Sequence, residues 1–452
     1  MIVVVGGGLT GLALSRELDA RGLEHVVLEA AARPGGIVRS GEIDGRILEW
    51  GPQRTRLTAG LRALASELGL EEQLIIAEPG LLPWVYARGR LRRLPTSPAA
   101  LLTSDVLGPF ARLRVALEPL TSGLRERETA GDYLIRKFGR AAYEDVLGPL
   151  YGGLYASRPT DMPARFALAR ALAEFGVDRS VLLWLLRRRG AALPPACSFT
   201  RGMQTLTDAL AARAGDRLVL ETPAGSVRRD RDGLVVATAE GPIRCTDVVL
   251  TVPAPVAGDL LSALDPDVAA RLDGLAYNPL AIVHLLAEQD GASLRGLGYQ
   301  VSFRMPLATR GVTWNDAMFR GAGRDGVYTA YLGGALSPET VELADDRLGA
   351  LAAEEFEQVT GVAARPIAVA RTHMPAWDHS WSLLDGVRFP EGVHACANWE
   401  TRPGIPGRLA AARRMAARLA RGGAPKNEEE AGGASGVAPA VADDRDDPAI
   451  TV

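Results

Sequence analysis

Residues 1–40 read MIVVVGGGLTGLALSRELDARGLEHVVLEAAARPGGIVRS, and this stretch decides the fold. Ile2–Val5 is an unbroken β-branched run, suited to a strand buried on both faces. Gly6-x-Gly8-x-x-Gly11 follows without a gap. A helical pattern comes next, with Leu9, Leu12, Ala13 and Leu18 on one side and Gly22 past its end. A second strand, His25–Leu28, ends at Glu29. The three glycines serve a tight turn, a close approach of backbone to a pyrophosphate, and tight packing of helix on strand. The helix start around Leu9 and Thr10 then offers free N–H groups and a partial positive charge to phosphates. Glu29 lies 18 residues beyond Gly11, where a carboxylate can accept both hydroxyls of a ribose. A lone glycine fingerprint is a weak signal; strand, turn, helix, strand and acid in this order form a strong one.

Gly35-Gly36 and Arg39 follow in RPGGIVRS. This resembles the second signature of FAD enzymes of the flavin amine oxidase and protoporphyrinogen oxidase superfamily. The resemblance implies that the paired glycines cross close to the cofactor and that Arg39 lies near its phosphates. The acid at position 29 also argues against a ribose 2′-phosphate, which it would repel. Ile43–Trp50 reads as a strand leading into Gly51-Pro52-Gln53-Arg54-Thr55-Arg56. In the superfamily this place carries an acid, a spacer, Gly and Pro and enters the flavin site. Arg54 and Arg56 suit a carboxylate partner, with a pair of solvated loop arginines as the plainer reading.

Composition sets the bounds. At 452 residues the chain is expected to form two or three domains with a sizeable core. Its net charge of −3 gives no general attraction to nucleic acid. The only lysines are Lys137 and Lys426. Cys197, Cys245 and Cys396 are scattered, giving neither a disulfide framework nor a zinc site, and the histidines form no ligand pair, so no metal is expected. A strand beginning at residue 2 leaves no room for a signal peptide, and no apolar run approaches the ~20 residues of a membrane span. A cytoplasmic protein, peripheral on a membrane at most, is the expectation.

Further along, Trp84–Ala87, Arg88-Gly89 and Arg90–Leu94 read as a β-hairpin with four arginines, best taken as solvated. Residues 97–195 become helical. Within them VLLWLLRRR (181–189) is read as a buried helix with cations at its C-terminus, in preference to a bilayer-touching segment. Leu218–Glu221, Gly225–Arg228, Gly233–Ala239 and Val248–Thr251 read as strands. Residues 270–385 read as a second sheet covered by a helix around Leu348–Val359. A final strand near Val393 runs through a Gly/Pro turn into a helix ending about Leu419. From Ala424 on the net charge is −5, and residues 422–452 read as a disordered acidic tail.

Several segments resemble the protoporphyrinogen and coproporphyrinogen III oxidase family more closely. YLIRKFGRAAYEDVLGPLYGGLYASRPTDMP (133–163) matches its pattern at Arg136, Phe138, Gly139, Pro149, Leu150, Gly153, Tyr155 and Ala156, and departs at Ser157. FTRGMQTLTDAL (199–210) matches with Arg201 in place of a glycine. GLGYQV (296–301), GVTWNDAMFR (311–320) and YTAYLGGA (328–335) match in order and spacing. Asn398, Trp399, Gly404, Ile405 and Pro406 match a closing motif from which Arg402-Pro403 and Gly407-Arg408 depart. The resemblance covers about residues 1–420.

It implies an α/β fold: a discontinuous Rossmann-like FAD-binding domain (1–80, 196–268, 386–421), a mixed-sheet substrate domain (81–95, 269–385) and a helical insert (96–195) that could touch a membrane. It further implies that Ala224 offers its backbone to the adenine and that Trp399, Gly404, Ile405 and Pro406 meet the flavin. Leu297, Gly298, Gln300 and Tyr331 are implied to line the substrate cavity, although family members usually carry apolar residues at the last two. The implied reaction dehydrogenates a porphyrinogen by hydride transfer from a meso carbon to flavin N5. Three two-electron rounds follow one another, oxygen is the acceptor, and the porphyrin is handed to a downstream haem-pathway enzyme. The flavin carries the chemistry, so no catalytic side chain is expected. Three rival readings remain: a flavin amine oxidase on another substrate, which usually places a lysine near flavin N5; a carotenoid desaturase, which would want an apolar tunnel; and a non-catalytic FAD-binding paralogue.

Overall fold

The computed structural model describes residues 1–95, 100, 104–187, 194–287, 294–400 and 404–422. The tail from 423, Arg402-Pro403 and two of the three arginines of the 181–189 segment, Arg188 and Arg189, lie outside these residues. The expected strand Ile2–Val5 (β1), helix Leu9–Asp19 (α1) and strand His25–Leu28 (β2) are all present. β1 is the centre of a five-stranded parallel sheet in the order Leu218–Val219, β2, β1, Asp247–Leu250, Val393–Ala395. The sheet's two faces explain the β-branched run. Ile2, Val4, Val27 and Val249 pack against α1, Gln204–Ala214 and Ile405–Ala420. Val3, Val5, Leu28, Val248 and Leu250 pack beneath the antiparallel meander Ser226–Asp230, Gly233–Thr238, Gly241–Cys245.

A second, seven-stranded sheet has the order Ala364–Pro375, Tyr277–Ala287, Val327–Gly333, Thr309–Thr313, Gly298–Val301, Pro83–Ala87, Arg90–Arg93. All neighbours are antiparallel except Gly298–Val301 with Pro83–Ala87, so the sheet is mixed. The helix Asp345–Thr360 covers one face, burying Leu348, Ala352, Phe356 and Val359 against Tyr299, Val312, Tyr328 and Ala330. The opposite face carries polar side chains. The hairpin arginines are solvated except for one: Arg88, Arg90 and Arg93 are exposed, with Arg88 reaching Asp145 and Arg93 lying over the Trp84 ring, while Arg92 is largely covered and pairs with Asp105.

Four details differ from the sequence reading. The expected strand Ile43–Trp50 is a hairpin, Ser40–Ile43 with Arg46–Glu49, because Asp44 and Gly45 both take positive φ in a two-residue turn. The expected strand Leu218–Glu221 stops at Val219, with Glu221 in the left-handed region. A short sheet of Thr55–Arg56, Ala196–Phe199 and Leu74–Ile76 was not foreseen. Finally, the 181–189 segment is not buried: the helix Val181–Arg187 lies on the surface, with Leu183, Leu185 and Leu186 each about two-fifths exposed. Only Val181 and Leu182 reach the core, and the Trp184 indole N–H donates to Phe175 O.

That surface helix is anchored by a buried charge. Glu118 accepts the N–H groups of Val181 and Leu182, and it pairs with Lys137 at 2.6 Å, both side chains fully buried. Lys137 also donates to Arg179 O. Replacing Lys137 with Met leaves the Glu118 charge alone in the core and is expected to lower unfolding stability by about 3–5 kcal/mol. Adding Glu118→Gln keeps the acceptor without the charge and returns part of that loss; urea denaturation of the single and double variants measures both.

Candidate functional site

Most of the expected cofactor residues follow the carboxyl ends of the parallel strands, the edge where open α/β sheets bind ligands, while Gly51 and Pro52 follow the antiparallel hairpin strand Arg46–Glu49. Gly6–Gly11 follow β1, Glu29 follows β2, Ala224 follows Leu218–Val219, and Asn398, Trp399, Gly404, Ile405 and Pro406 follow Val393–Ala395. The turn after β1 depends on its glycines. A Cβ on Gly11 would collide with Gly6 O, whereas one on Gly8 meets nothing nearer than Gly36 Cα at 4.0 Å. The first α1 bond runs from Leu12 N–H to Gly8 O, and Gly8 supplies no side-chain cap. The N–H groups of Leu9, Thr10 and Gly11 therefore point from the helix start toward this open position.

The second glycine pair closes on the first. Gly35 N–H donates to Gly7 O at 2.8 Å, Gly8 and Gly35 form a parallel bridge, and a Cβ on Gly36 would sit 3.3 Å from Gly8 Cα. Glu29 braces this turn: Oε2 accepts Gly7 N–H at 2.7 Å and Oε1 accepts Ala31 N–H at 2.9 Å. Each oxygen keeps a further lone pair for a ligand hydroxyl. Arg39 is exposed, its guanidinium 5.5 Å from the Trp50 ring centroid. Ala224 lies two residues past Thr222, whose N–H donates to Glu29 O. At the far strand, Gly404 has φ +107 and starts the helix Ile405–Ala420, with Pro406 in its first turn. Trp399 is buried, its indole N–H donating to Val252 O, while the buried Asn398 Oδ1 has no partner among the described residues. Unpaired helix amides, a glycine cradle open at Gly8 and an orphaned amide oxygen fit a dinucleotide laid along this edge.

Glu49, which stands at the acid of the acid-spacer-Gly-Pro pattern, was not named as a site residue from the sequence. It is 1 % exposed and central. Its oxygens accept the Ser40 hydroxyl at 2.5 Å and the Met203 N–H at 2.9 Å, and the fully buried Arg324 stands 3.6 Å away. Burial pushes Glu49 up to about 7 against the pull of those donors. Two residues on, a Cβ at Gly51 would collide with Ile37 O, so this segment lies on the Gly35-Gly36 loop. After Pro52, Gln53 turns into the second sheet. Its Oε1 accepts Asn315 Nδ2 at 2.8 Å and the Thr329 hydroxyl at 2.9 Å, while its Nε2 donates to Glu49 O at 2.8 Å. His284 Nδ1 lies 3.2 Å from the same hydroxyl, and burial lowers that imidazole to about 4, so the ring is neutral at pH 7.

Of the expected substrate residues, Arg54 and Tyr331 are brought together. Arg54 is half-buried and makes no hydrogen bond or ion pair among the described residues. Burial and the Arg56 cation push it down to about 10, with Tyr331 acting in the opposite sense. Gln300 and Tyr331 lie on one face, each paired with Gly311 between them. Gly298, φ +121, sits in the same strand and packs so closely on Val312 O that no side chain fits. Arg56 turns away and donates to Pro194 O at 3.0 Å. Leu297 joins a cluster with Ala77, Ala196, Met318 and Phe319.

The departures from the family pattern have local explanations. Ser157 is a buried stitch, donating to Ala376 O at 2.6 Å and accepting Asn278 Nδ2 at 2.8 Å. Arg201 is exposed in a turn, and its neighbour Gly202, φ +95, packs so closely on Ser40 that a Cβ would collide with its hydroxyl oxygen. Arg408 donates to Ala397 O at 2.6 Å and so fixes the turn at Asn398. Missed by sequence reasoning were Ser40, Gln53, His284, Asn315, Arg324 and Thr329; the quoted segments containing Asn315 and Thr329 were the available signal. Among the described residues no His, Cys, Asp and Glu group could hold a metal. Because protein packing leaves room at Gly8, Gly8→Ala is expected to fold with an unchanged circular dichroism spectrum yet purify with its 450 nm absorbance largely lost. Gly11→Ala is expected to lose both.

The comparisons with known proteins agree with this geometry. The family profile described as flavin containing amine oxidoreductase matches residues 9–407. Protoporphyrinogen oxidase 1, chloroplastic, of Spinacia oleracea is 26% identical over 386 residues, covering 76% of this chain and 68% of its own. Coproporphyrinogen III oxidase of Mycobacterium bovis is 26% identical over 433 residues, covering 90% and 91%. A crystal structure from Exiguobacterium sp. 255-15, of a protein provisionally named a protoporphyrinogen oxidase, superposes with a TM-score of 0.77 at 23% identity, covering 93% of this chain and 98% of that one. The cofactor is FAD, and the chain belongs to the flavin-containing amine oxidoreductase family.

Proposed function

We propose that this chain dehydrogenates a porphyrinogen to a porphyrin, and that Arg54 holds a carboxylate of the substrate. The carrying observation is the position of Arg54: three residues from Gly51 on the cofactor loop, half-buried, beside Tyr331, and without a partner among the described residues. A desolvated guanidinium with no counter-charge is costly unless a ligand supplies one. Its planar fork suits a carboxylate, and porphyrinogens carry carboxylates at their edge. Bound FAD supplies the two-electron acceptor. On this reading the protein's own groups bind, orient and shield the substrate: the Gly8, Gly35, Gly36 and Gly51 cradle with Glu29, Ala224 and the Gly404–Pro406 helix start hold the cofactor, and the second sheet holds the porphyrinogen over it. Residues 1–80, 196–268 and 386–421 would form the cofactor domain, and 81–95 with 269–385 the substrate domain.

Two observations weigh against an amine oxidase. Among the described residues the only lysine is Lys137, fully buried and paired with Glu118, so it is not available beside a flavin. The relatives matched by sequence over most of the chain, such as those from Spinacia oleracea and Mycobacterium bovis, are named for porphyrinogens. Oxygen as terminal acceptor and delivery of the porphyrin to a later haem-pathway enzyme complete the proposal. Among the described residues no helix is long and apolar enough to cross a membrane. Phe110, Leu113, Leu117 and Leu120 are nevertheless exposed, as are Leu183, Leu185 and Leu186 on the helix that contacts the segment Glu118–Leu120, giving a candidate apolar face. We propose that this face rests on a lipid surface; sedimentation with anionic vesicles, lost in Phe110→Ser/Leu183→Ser, tests it.

Anaerobic mixing of the FAD-loaded chain with protoporphyrinogen or coproporphyrinogen is expected to bleach the flavin absorbance, with porphyrin fluorescence appearing on admitting air. Bleaching by a panel of amines and by neither porphyrinogen overturns the proposal. Arg54→Gln is expected to raise KM about tenfold or more while changing kcat less, since it removes a contact common to ground and transition states. The same substitution at Arg56 should act mainly through stability, because that side chain is tied to Pro194 O.

A further inference from the structure

The inner face of the seven-stranded sheet carries a row of residues in register: Val85, Gln300, Gly311, Tyr331, Ile282. Paired residues share a face, and each strand adds about 4.8 Å, so the Gln300 and Tyr331 backbones stand roughly 10 Å apart with a gap between them. Gly311 makes that gap. A Cβ there would lie 2.8 Å from Gln300 Oε1 and 2.9 Å from Nε2, so the carboxamide occupies the space above Gly311 and leans toward Tyr331. Gly153, from the helix Gly148–Gly153, closes the other side, where a Cβ would lie 2.9 Å from Oε1. Two glycines therefore hold one amide in place, yet the amide makes no hydrogen bond among the described residues. A polar group fixed in advance and left unpaired is arranged for a ligand, because its ordering entropy is already lost.

What that ligand offers follows from its neighbours. Burial pushes the Tyr331 phenol up to about 12, so it is an O–H donor at neutral pH. Arg54 beside it has only donors, and Gln300 adds an NH₂. The strip presents donors and a positive charge, which an anionic oxygen satisfies and a vinyl or methyl group does not. Resting on the porphyrinogen reading above, we propose that Gln300 and Tyr331, with Arg54, form a specificity strip that selects the porphyrinogen with carboxylates on the pyrroles facing it. That favours coproporphyrinogen, which bears four propionates, over protoporphyrinogen, which bears two propionates and two vinyl groups. An apolar substituent would leave the Arg54 and Gln300 donors desolvated and without a partner among the described residues, while Tyr331 would fall back on Thr313 and Gln53.

The test compares kcat/KM on the two porphyrinogens for the FAD-loaded wild type, Gln300→Leu, Tyr331→Phe and the double variant. FAD content serves as the folding control, and fluorescence titration with coproporphyrin III and protoporphyrin IX gives a binding readout independent of turnover. The wild type is expected to prefer coproporphyrinogen by about tenfold or more, each single variant to reduce that ratio about threefold to tenfold, and the double variant to abolish it. The preference should fall mainly through KM and through the coproporphyrin dissociation constant. Equal use of both substrates by the wild type, or variants that slow both equally, overturns the proposal. If the wild type oxidises neither porphyrinogen, the functional reading fails, and the titration still decides the strip: coproporphyrin III binding no tighter than protoporphyrin IX overturns it.

Discussion

A single buried carboxylate joins the parts of this molecule. Glu49 ends the Ser40–Glu49 hairpin, receives the backbone at Met203, and faces the buried Arg324 from beyond the second sheet. An anion in such a place is stable only while its donors stay in position. The segment that follows is thereby fixed at both ends. Gly51 lies against the Gly35-Gly36 loop, and Gln53 bridges Asn315 and Thr329 on the sheet. The cofactor edge and the inner face of the sheet are thus held to one another through four consecutive residues, so any looseness at Glu49 would be felt on both sides.

The two sheets divide the work by their faces. The parallel sheet is apolar on both sides and presents only its carboxyl edge for chemistry, with glycines where backbone must approach a ligand. The mixed sheet is asymmetric. Its outer face is a conventional core under the Asp345–Thr360 helix, while alternate residues on the other side are Gln300, Gly311, Thr329 and Tyr331. Period-two alternation places a hydrophobic and a hydrogen-bonding surface on the same short strands. This is how segments such as YTAYLGGA serve stability and recognition together.

Much of this was legible in the sequence where the signal is local. β1, α1 and β2 follow from a β-branched run, three glycines and a 3.6-residue period, and the Trp84–Leu94 hairpin from its Arg88-Gly89 turn. The paired glycines at 35 and 36 named the cofactor class through a family resemblance, and the family profile agrees. What escaped has physical causes. Two-residue strands such as Thr55–Arg56 carry no period. The Asp44-Gly45 turn was readable but was overridden by its hydrophobic flanks. The importance of Glu49 depends on Arg324, 275 positions away, and no spacing rule links them. The 181–189 run is apolar enough to suggest burial, yet the Glu118–Lys137 pair beneath it holds the helix at the surface. Gln300 and Tyr331 could be named singly as polar departures; that they flank one glycine is a matter of register, which only the folded sheet reveals.

The composition of the charged surface has a practical side. Of the 51 basic residues nearly all are arginine, and the one lysine among the described residues is sealed in an ion pair. Reagents that acylate or crosslink primary amines therefore find no lysine on the described surface, and coupling through amines will not blanket it at random. Dicarbonyl reagents that condense with guanidinium groups meet the opposite situation, a dense field of targets. Among these Arg54 combines partial exposure with a depressed pKa and no counter-ion among the described residues, the state in which a guanidinium reacts most readily. Selective modification at that position would tag the inner face of the sheet chemically, with no mutation required.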